Sequence, residues 1–304
     1  MLRKLLNQCA FTIRLETEEP LLVMSGDSVV NGPDMTFVRT HREGSVEPFI
    51  PGSSLKGVLR SHAERIARTL QAKSVCGVFD GADVRGCGSR LSEAKDASDY
   101  RRSCPACRLF GSLLWKGRFS TGDAYLVDDD RDVQPELRDG VGIDRISGGA
   151  ARGAKFDLEV MPAGVSFRTE FDLVNFEAWQ LGWIAYVVRD LTEARLRVGA
   201  GTSRGLGRVR GHLESVDLSY VGEPAALEEE IPGIGALVSQ EERDAYGLYA
   251  SDAAALPDEL DFGRPAGAIR SQMSLADDEA QQALLAAVAP AFDRFISLAD
   301  PIEA

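Results

Sequence analysis

The chain has 304 residues, 44% hydrophobic and 27% charged, the balance of a folded protein with a real apolar core rather than a disordered one. No run of about 18 apolar residues marks a membrane span, and the start, MLRKLLNQCAFTIRL, lacks the long apolar stretch and small-residue cleavage site of a signal peptide. A cytoplasmic protein is the expectation. The formal charge of -13 is unevenly placed, because residues 1–220 hold 30 basic and 30 acidic residues, and the remainder hold 4 basic and 17 acidic. The sum therefore does not exclude a phosphate-bearing partner for the front part.

Residues 9–24 open with Phe11, Ile13 and Leu15 in alternation, the period-two pattern of a half-buried strand. A Gly- and Pro-punctuated loop follows, then the extended stretch MTFVRT. Pro51 and Gly52 end a second extended piece, after which Leu55, Val58, Leu59, Ala63 and Ile66 recur at helical spacing, with Ser53 or Ser54 as cap. Residues 70–108 form an insertion, polar and Gly-rich up to residue 103 and with little core of its own. Residues 108–127 predict a turn and a strand, and residues 128–140 an acidic loop. The segment 141–165 predicts a hairpin with a small-residue tip, closed by a second turn at Pro162-Ala163-Gly164. WQLGWIAYVVRDLTEARL predicts a buried helix, and HLESVDLSYV a last strand. Composition shifts near residue 222, dividing the chain into 1–221 and an acidic, Ala-rich, partly helical extension, 222–304. Its closing helix is interrupted at Pro290.

Four of the five cysteines, Cys76, Cys87, Cys104 and Cys107, are spaced C-x10-C, x16, C-x2-C. A two-residue gap lets both thiolates of a CPAC knuckle meet one ion, and structural zinc takes four such ligands with no open position. Disulfides or scattered thiols are the plainer readings, disfavoured in a reducing compartment. Cys9 reads as a buried core residue.

Two segments suit anions. Ser53, Ser54, Lys56 and Arg60 stand at a helix start, where amides and the helix dipole attract phosphate. In GAGTSRGLGRV, glycines let backbone approach a ligand, and Arg204, Gly205 and Arg208 would contact its oxygens. The same residues equally describe a capped helix and a tight connection, and they match neither a P-loop nor a dinucleotide fingerprint.

Three segments taken together, FIPGSSLKGVLR at 49–60, GIDRISGGA at 142–150 and GTSRGLGRV at 201–209, resemble the RAMP superfamily, and in particular the backbone subunit of type III CRISPR ribonucleoproteins. The similarity covers about residues 8–220. It implies an α+β fold, an RRM-like (ferredoxin-like) palm with a β-hairpin thumb, here joined by a zinc-knuckle insertion and a C-terminal helical extension. The zinc insertion points to a type III-D-like branch. The resemblance further implies that palm and helix start grip a guide CRISPR RNA. The thumb, with Ile143, Ile146 and Met161 as apolar wedges and Arg145 beside them, would enter the guide–target duplex.

In cleaving members an aspartate after the first strand supports metal-dependent cutting of target RNA. Gly32-Pro33-Asp34 falls at that place, with Asp27 as a second candidate, although Pro33 and Met35 depart from the usual pattern. Mg2+ or another divalent ion would serve Asp34, whose carboxylate equally suits a Pro-Asp turn. Copies of the chain, complementary target RNA and other effector subunits are the implied partners, in antiviral defence. The alternative is a guide- and target-binding scaffold that works with a separate nuclease. Less favoured are a guide-processing endoribonuclease using His41 as general base, with His62 and His212 structural, and a zinc-stapled protein adaptor.

Overall fold

In a computed structural model, residues 3–26, 32–77, 86–91 and 96–298 are described. The front part runs β1 (Asn7–Thr17), β2 (Arg39–Arg42), β3 (Ser45–Ile50), α1 (Gly52–Leu70), α2 (Cys87–Arg90), α3 (Ala97–Arg102) and α4 (Pro105–Phe110). It continues with β4 (Phe119–Thr121), β5 (Ala124–Leu126), β6 (Glu136–Ile143), β7 (Ala150–Val160), β8 (Ser166–Val174), α5 (Ala178–Thr192) and β9 (Val209–Val221). The rest is β10 (Glu230–Pro232), α6 (Ile234–Leu237), α7 (Gln240–Tyr246), β11 (Ala253–Ala255), β12 (Arg270–Leu275) and α8 (Asp278–Leu298).

The main sheet is ordered β12-β9-β1-β8-β5-β3-β2, with β4 also on β8. Its centre, β9-β1-β8-β5, is antiparallel, and α1 and α5 are the crossovers, which is the ferredoxin-like βαββαβ arrangement. Strict alternation on β1 explains its place. Cys9, Phe11, Ile13 and Leu15 are fully buried, whereas Arg14 and Glu16 meet Glu214 and His212 on the open face. The strand ends at Thr17, short of the expected residue 24. Pro20 cannot continue a central ladder, and Leu21 instead bridges Met161.

α5 is apolar around most of its circumference and starts with a capping box between Glu177 and Gln180. One side lies on the sheet and the other receives α8, with Trp183 stacked on Phe292 at 4.8 Å and Trp179 on Phe295 at 4.0 Å. α8 passes through Pro290 unbroken, contrary to the expected interruption. Pro290 and Ala286 are both exposed, so the carbonyl of Ala286 that loses its i+4 donor faces water.

Other expectations change in the same way. The insertion shares the main core, since Cys76, Cys87, Leu91, Cys104 and Cys107 are buried with the palm's residues. Residues 136–140, expected as the end of an acidic loop, belong to β6, so the hairpin begins before residue 141. Leu227, Ile231, Met273, Leu275 and Leu284 of the extension belong to that same core, and β12 adds a strand to β9. Among the described residues no helix is long and apolar enough to cross a membrane.

Gly182 sets the approach of α8, since a β-carbon there would stand 2.4 Å from the carbonyl oxygen of Val288. Gly182→Leu should therefore cost about 2 kcal/mol or more by overpacking, read as a lower urea midpoint. An unchanged midpoint would mean that α8 does not seat on this face.

Candidate RNA interface and metal centre

Three chain segments far apart in sequence meet at one end of the palm. Leu22 from the loop after β1, Leu158 and Val160 from β7, and Leu206 from the glycine-rich loop form a buried cluster flanked by Met35, Phe156 and Ala200. Backbone bonds knit them together: Met35 donates to the Asp157 carbonyl at 3.1 Å, Glu159 to Met35 at 2.9 Å, and Ala200 to Leu22 at 2.8 Å. Asp34 lies on this seam, exposed, with Oδ2 accepting from the Asp157 amide at 3.0 Å. Glu159 completes the join by accepting from Phe37 N and Arg39, both at 2.9 Å. Asp27 lies outside the described residues.

The glycines of the 199–207 loop divide by role. Gly199, at φ +79°, leaves no room for a side chain, because its β-carbon would stand 2.1 Å from the Leu22 carbonyl oxygen. It serves the chain's own packing. Gly205, at φ +78°, has no atom within 4 Å of that position, so its backbone is open to a ligand. Arg204 lies beside it with its guanidinium over the Phe156 ring at 5.7 Å.

From this seam β6 and β7 project as a separate two-stranded hairpin. Phe156 folds across Gly140, where a β-carbon would meet the ring at 2.2 Å. The other side presents Leu137, Val141 and Ile143 in alternation, all exposed. At the tip, Asp144 accepts from the amides of Ile146 at 3.2 Å and Ser147 at 3.1 Å, and from the Ser147 hydroxyl at 2.7 Å. That hydroxyl, then the amides, hold the Asp144 carboxyl below its ordinary value. The turn is thus organised from within and displays Arg145 and Ile146, the latter 98% exposed. Met161, expected among the wedges, is fully buried at the root instead, because its bridge to Leu21 turns it into the core.

Ser53, Ser54 and Lys56 lie at the start of α1, but neither serine caps the helix. Asp123, in the break between β4 and β5, accepts from the Gly52 amide at 2.7 Å, so a carboxylate already occupies the first anion position. Lys56 lies near Arg60 and Lys116, and burial, then these two cations, lowers its pKa. Arg60 is held by Glu64 at 2.8 Å and the Gly111 carbonyl at 2.9 Å. Arg208 pairs with Glu19 at 3.2 Å, whose carboxyl is lowered first by Arg197. Among the described residues Lys56, Arg145 and Arg204 form no ion pair. Of the proposed cations, these three are uncommitted and Arg60 and Arg208 are not.

His62 Nε2 donates to Asp190 at 2.6 Å between α1 and α5, and His212 meets Glu16 at 3.0 Å on the sheet. His41 is exposed on β2.

Cys76, Cys87, Cys104 and Cys107 converge, their sulfurs all within 4.8 Å of one another, all buried and none disulfide-bonded. Cys76 stands 3.6 Å from both Cys104 and Cys107. A tetrahedron with metal–sulfur bonds of about 2.3 Å requires sulfur separations of about 3.8 Å, so the donor set fits a four-coordinate soft metal. The Cys104 amide points at Cys87 Sγ at 3.2 Å, the Cys107 amide at Cys104 Sγ at 3.4 Å, and Arg60 reaches Cys107 Sγ at 3.5 Å. These donors offset thiolate charge. Hydrogen bonds from Cys104, then Cys107, bring the Cys76 thiol down to about 7.

Asp123, Phe156 and Glu159 were not anticipated from the sequence. For Asp123 the only local signal was a carboxylate in a Thr-Gly-Asp break. Its partner lies 71 residues away, and pairing of that kind leaves no periodic trace.

None of the curated proteins matches the chain. The family model of the RAMP superfamily matches residues 14–210, the stretch that carries the palm, the hairpin and the glycine-rich loop. That match spans well over half of the chain and runs from within β1 to the start of β9, so the chain belongs to the RAMP superfamily.

Proposed function

We propose that this chain is the guide-RNA-binding backbone subunit of a type III-like CRISPR ribonucleoprotein, of a zinc-bearing, type III-D-like branch. Copies pack side by side along the guide, and each cuts complementary target RNA at Asp34. The observation that carries the reading is the seam itself: the Asp34 loop, the hairpin root and the glycine-rich loop share one buried cluster, beside the unpaired Arg204. A strand laid along the seam would offer its phosphates to Arg204 and the Gly205 backbone, and to Lys56 where it reaches α1. Ile143 and Ile146 then stand where a base could be displaced, offering an apolar surface in place of a stacked neighbour. When bound, Mg2+ or another divalent ion would polarise the scissile phosphate, and Asp34 would supply an anionic ligand for it.

A second reading, scaffold without nuclease, is favoured by the bond from Asp157 N to Asp34 Oδ2, because that bond gives the carboxylate a purely structural task. Asp34→Asn separates the two. The amide oxygen can still accept from Asp157, so guide binding should persist while magnesium-dependent cutting of complementary RNA falls at least a hundredfold. Cutting that survives at the parental rate would leave only the scaffold.

Guide binding should weaken at each of Lys56→Ala, Arg145→Ala and Arg204→Ala. Every lost phosphate contact should reduce the slope of log affinity against log salt by roughly 0.7 for single-stranded RNA. Arg60→Ala should leave that slope unchanged, because its guanidinium is committed to Glu64 and the cysteines. Equal slopes for all four variants would disconnect this surface from RNA.

Zinc at the four cysteines is read as structural. One equivalent per chain is expected by elemental analysis, lost in Cys104→Ser together with a marked drop in thermal midpoint. Full-length protein that is stable and metal-free would exclude it.

A further inference from the structure

We propose that the cysteine-bound metal also clamps the C-terminal extension to the palm, acting through Arg108; this rests on the reading of the four cysteines as a metal site. The link is α4. Six residues are too few to hold a helix in isolation, and α4 has Cys104 as its N-cap and Cys107 inside it. The next residue, Arg108, turns away from the sulfurs toward the start of α5. There its Nη2 meets both Glu177 oxygens, at 2.7 and 2.6 Å, with Arg108 7% exposed and Glu177 fully buried.

Glu177 is the cap of α5 and also accepts from the Tyr100 hydroxyl at 2.7 Å. The Arg108 guanidinium lies 4.8 Å from the Tyr100 ring centroid, 5.3 Å from Trp179 and 5.9 Å from Phe295. Phe295 belongs to α8, so one side chain from the cysteine helix touches the insertion, the palm and the extension.

The extension approaches the same spot a second time. Asp252 accepts from Ala178 N at 2.7 Å and from Gly235 N at 2.9 Å. Tyr246 and Gly247 pack on Tyr100 and Arg101 of α3. Withdrawing Arg108 would leave a buried carboxylate without its cation, a state that is strongly destabilising. Glu177 would have to move toward water, and the α8 and Asp252 contacts around it would loosen with it. Metal loss is thereby felt beyond the insertion, in residues 230–298, while the β1–β9 ladder is left in place.

The test is hydrogen exchange on the full chain, metal-loaded and after chelation, alongside Arg108→Met in the loaded state, with metal content measured throughout. Chelation is expected to raise exchange at least tenfold in peptides covering 97–110, 234–255 and 278–298, and to leave 7–17 and 209–221 protected. Arg108→Met is expected to keep its metal yet show the same rise in the two C-terminal peptides. Exchange that increases only in 97–110 after chelation, or an Arg108→Met chain with C-terminal protection intact, overturns the clamp. A chain that never holds metal overturns the metal's part. In that case, a rise with Arg108→Met would still assign the docking to the arginine.

Discussion

β1 is paired on both sides, to β8 in one continuous register and to β9 with a single shift between Thr12 and Ile13, and its alternation of buried and open side chains fixes which face is covered. A slip of one residue would put Arg14 and Glu16 into the core and Phe11, Ile13 and Leu15 into water. With that register set, α1 and α5 have one apolar face to cover. The loops leaving β1 and entering β9 emerge side by side, since Thr17 pairs with Val209. The seam that holds Asp34 and the glycine-rich loop follows from that adjacency, and the hairpin root joins it because β8 begins opposite Glu16.

Charge is distributed to match. On the open face of the sheet Arg14 and Arg168 share Glu214, and His212 faces Glu16, so that face is self-compensated and has little attraction for phosphate. Of the cations proposed to contact RNA, the three that form no ion pair among the described residues, Arg145, Arg204 and Lys56, stand at the hairpin tip, the glycine-rich loop and the α1 start. On the proposed reading these three would mark where RNA runs, and the net charge of -13 says little about it.

The insertion and the extension both converge on the first turn of α5. The polar segment with four cysteines is buried against the palm at those cysteines and Leu91, and a metal held by the four thiolates would add to that anchorage. The extension has apolar surface enough, and it aligns on the palm through Trp179, Trp183, Phe292 and Phe295. Arg108 lies where these two solutions meet, and its burial is tolerable because Glu177 and three aromatic rings surround it.

The first strand, the helices α1 and α5, the hairpin and the cysteine quartet were legible in the amino-acid sequence, because each is a pattern of periodicity or spacing, whereas the ferredoxin-like core was an implication of the family resemblance. Alternation in β1 and the CPAC knuckle are patterns within one element, and neighbouring residues suffice to produce them. Tertiary structure alone decided which charged groups are available. Arg60 and Arg208 look no different from Arg204 in the sequence, yet Glu64, Gly111 and Glu19 engage the first two, and among the described residues an aromatic ring engages the third. It also decided that Asp123 rather than a serine caps α1, that Met161 is core and Ile146 is not, and that α8 continues through Pro290. Each of these turns on a partner or a solvent-facing side supplied by distant chain, and burial and electrostatic pairing are properties of that three-dimensional neighbourhood.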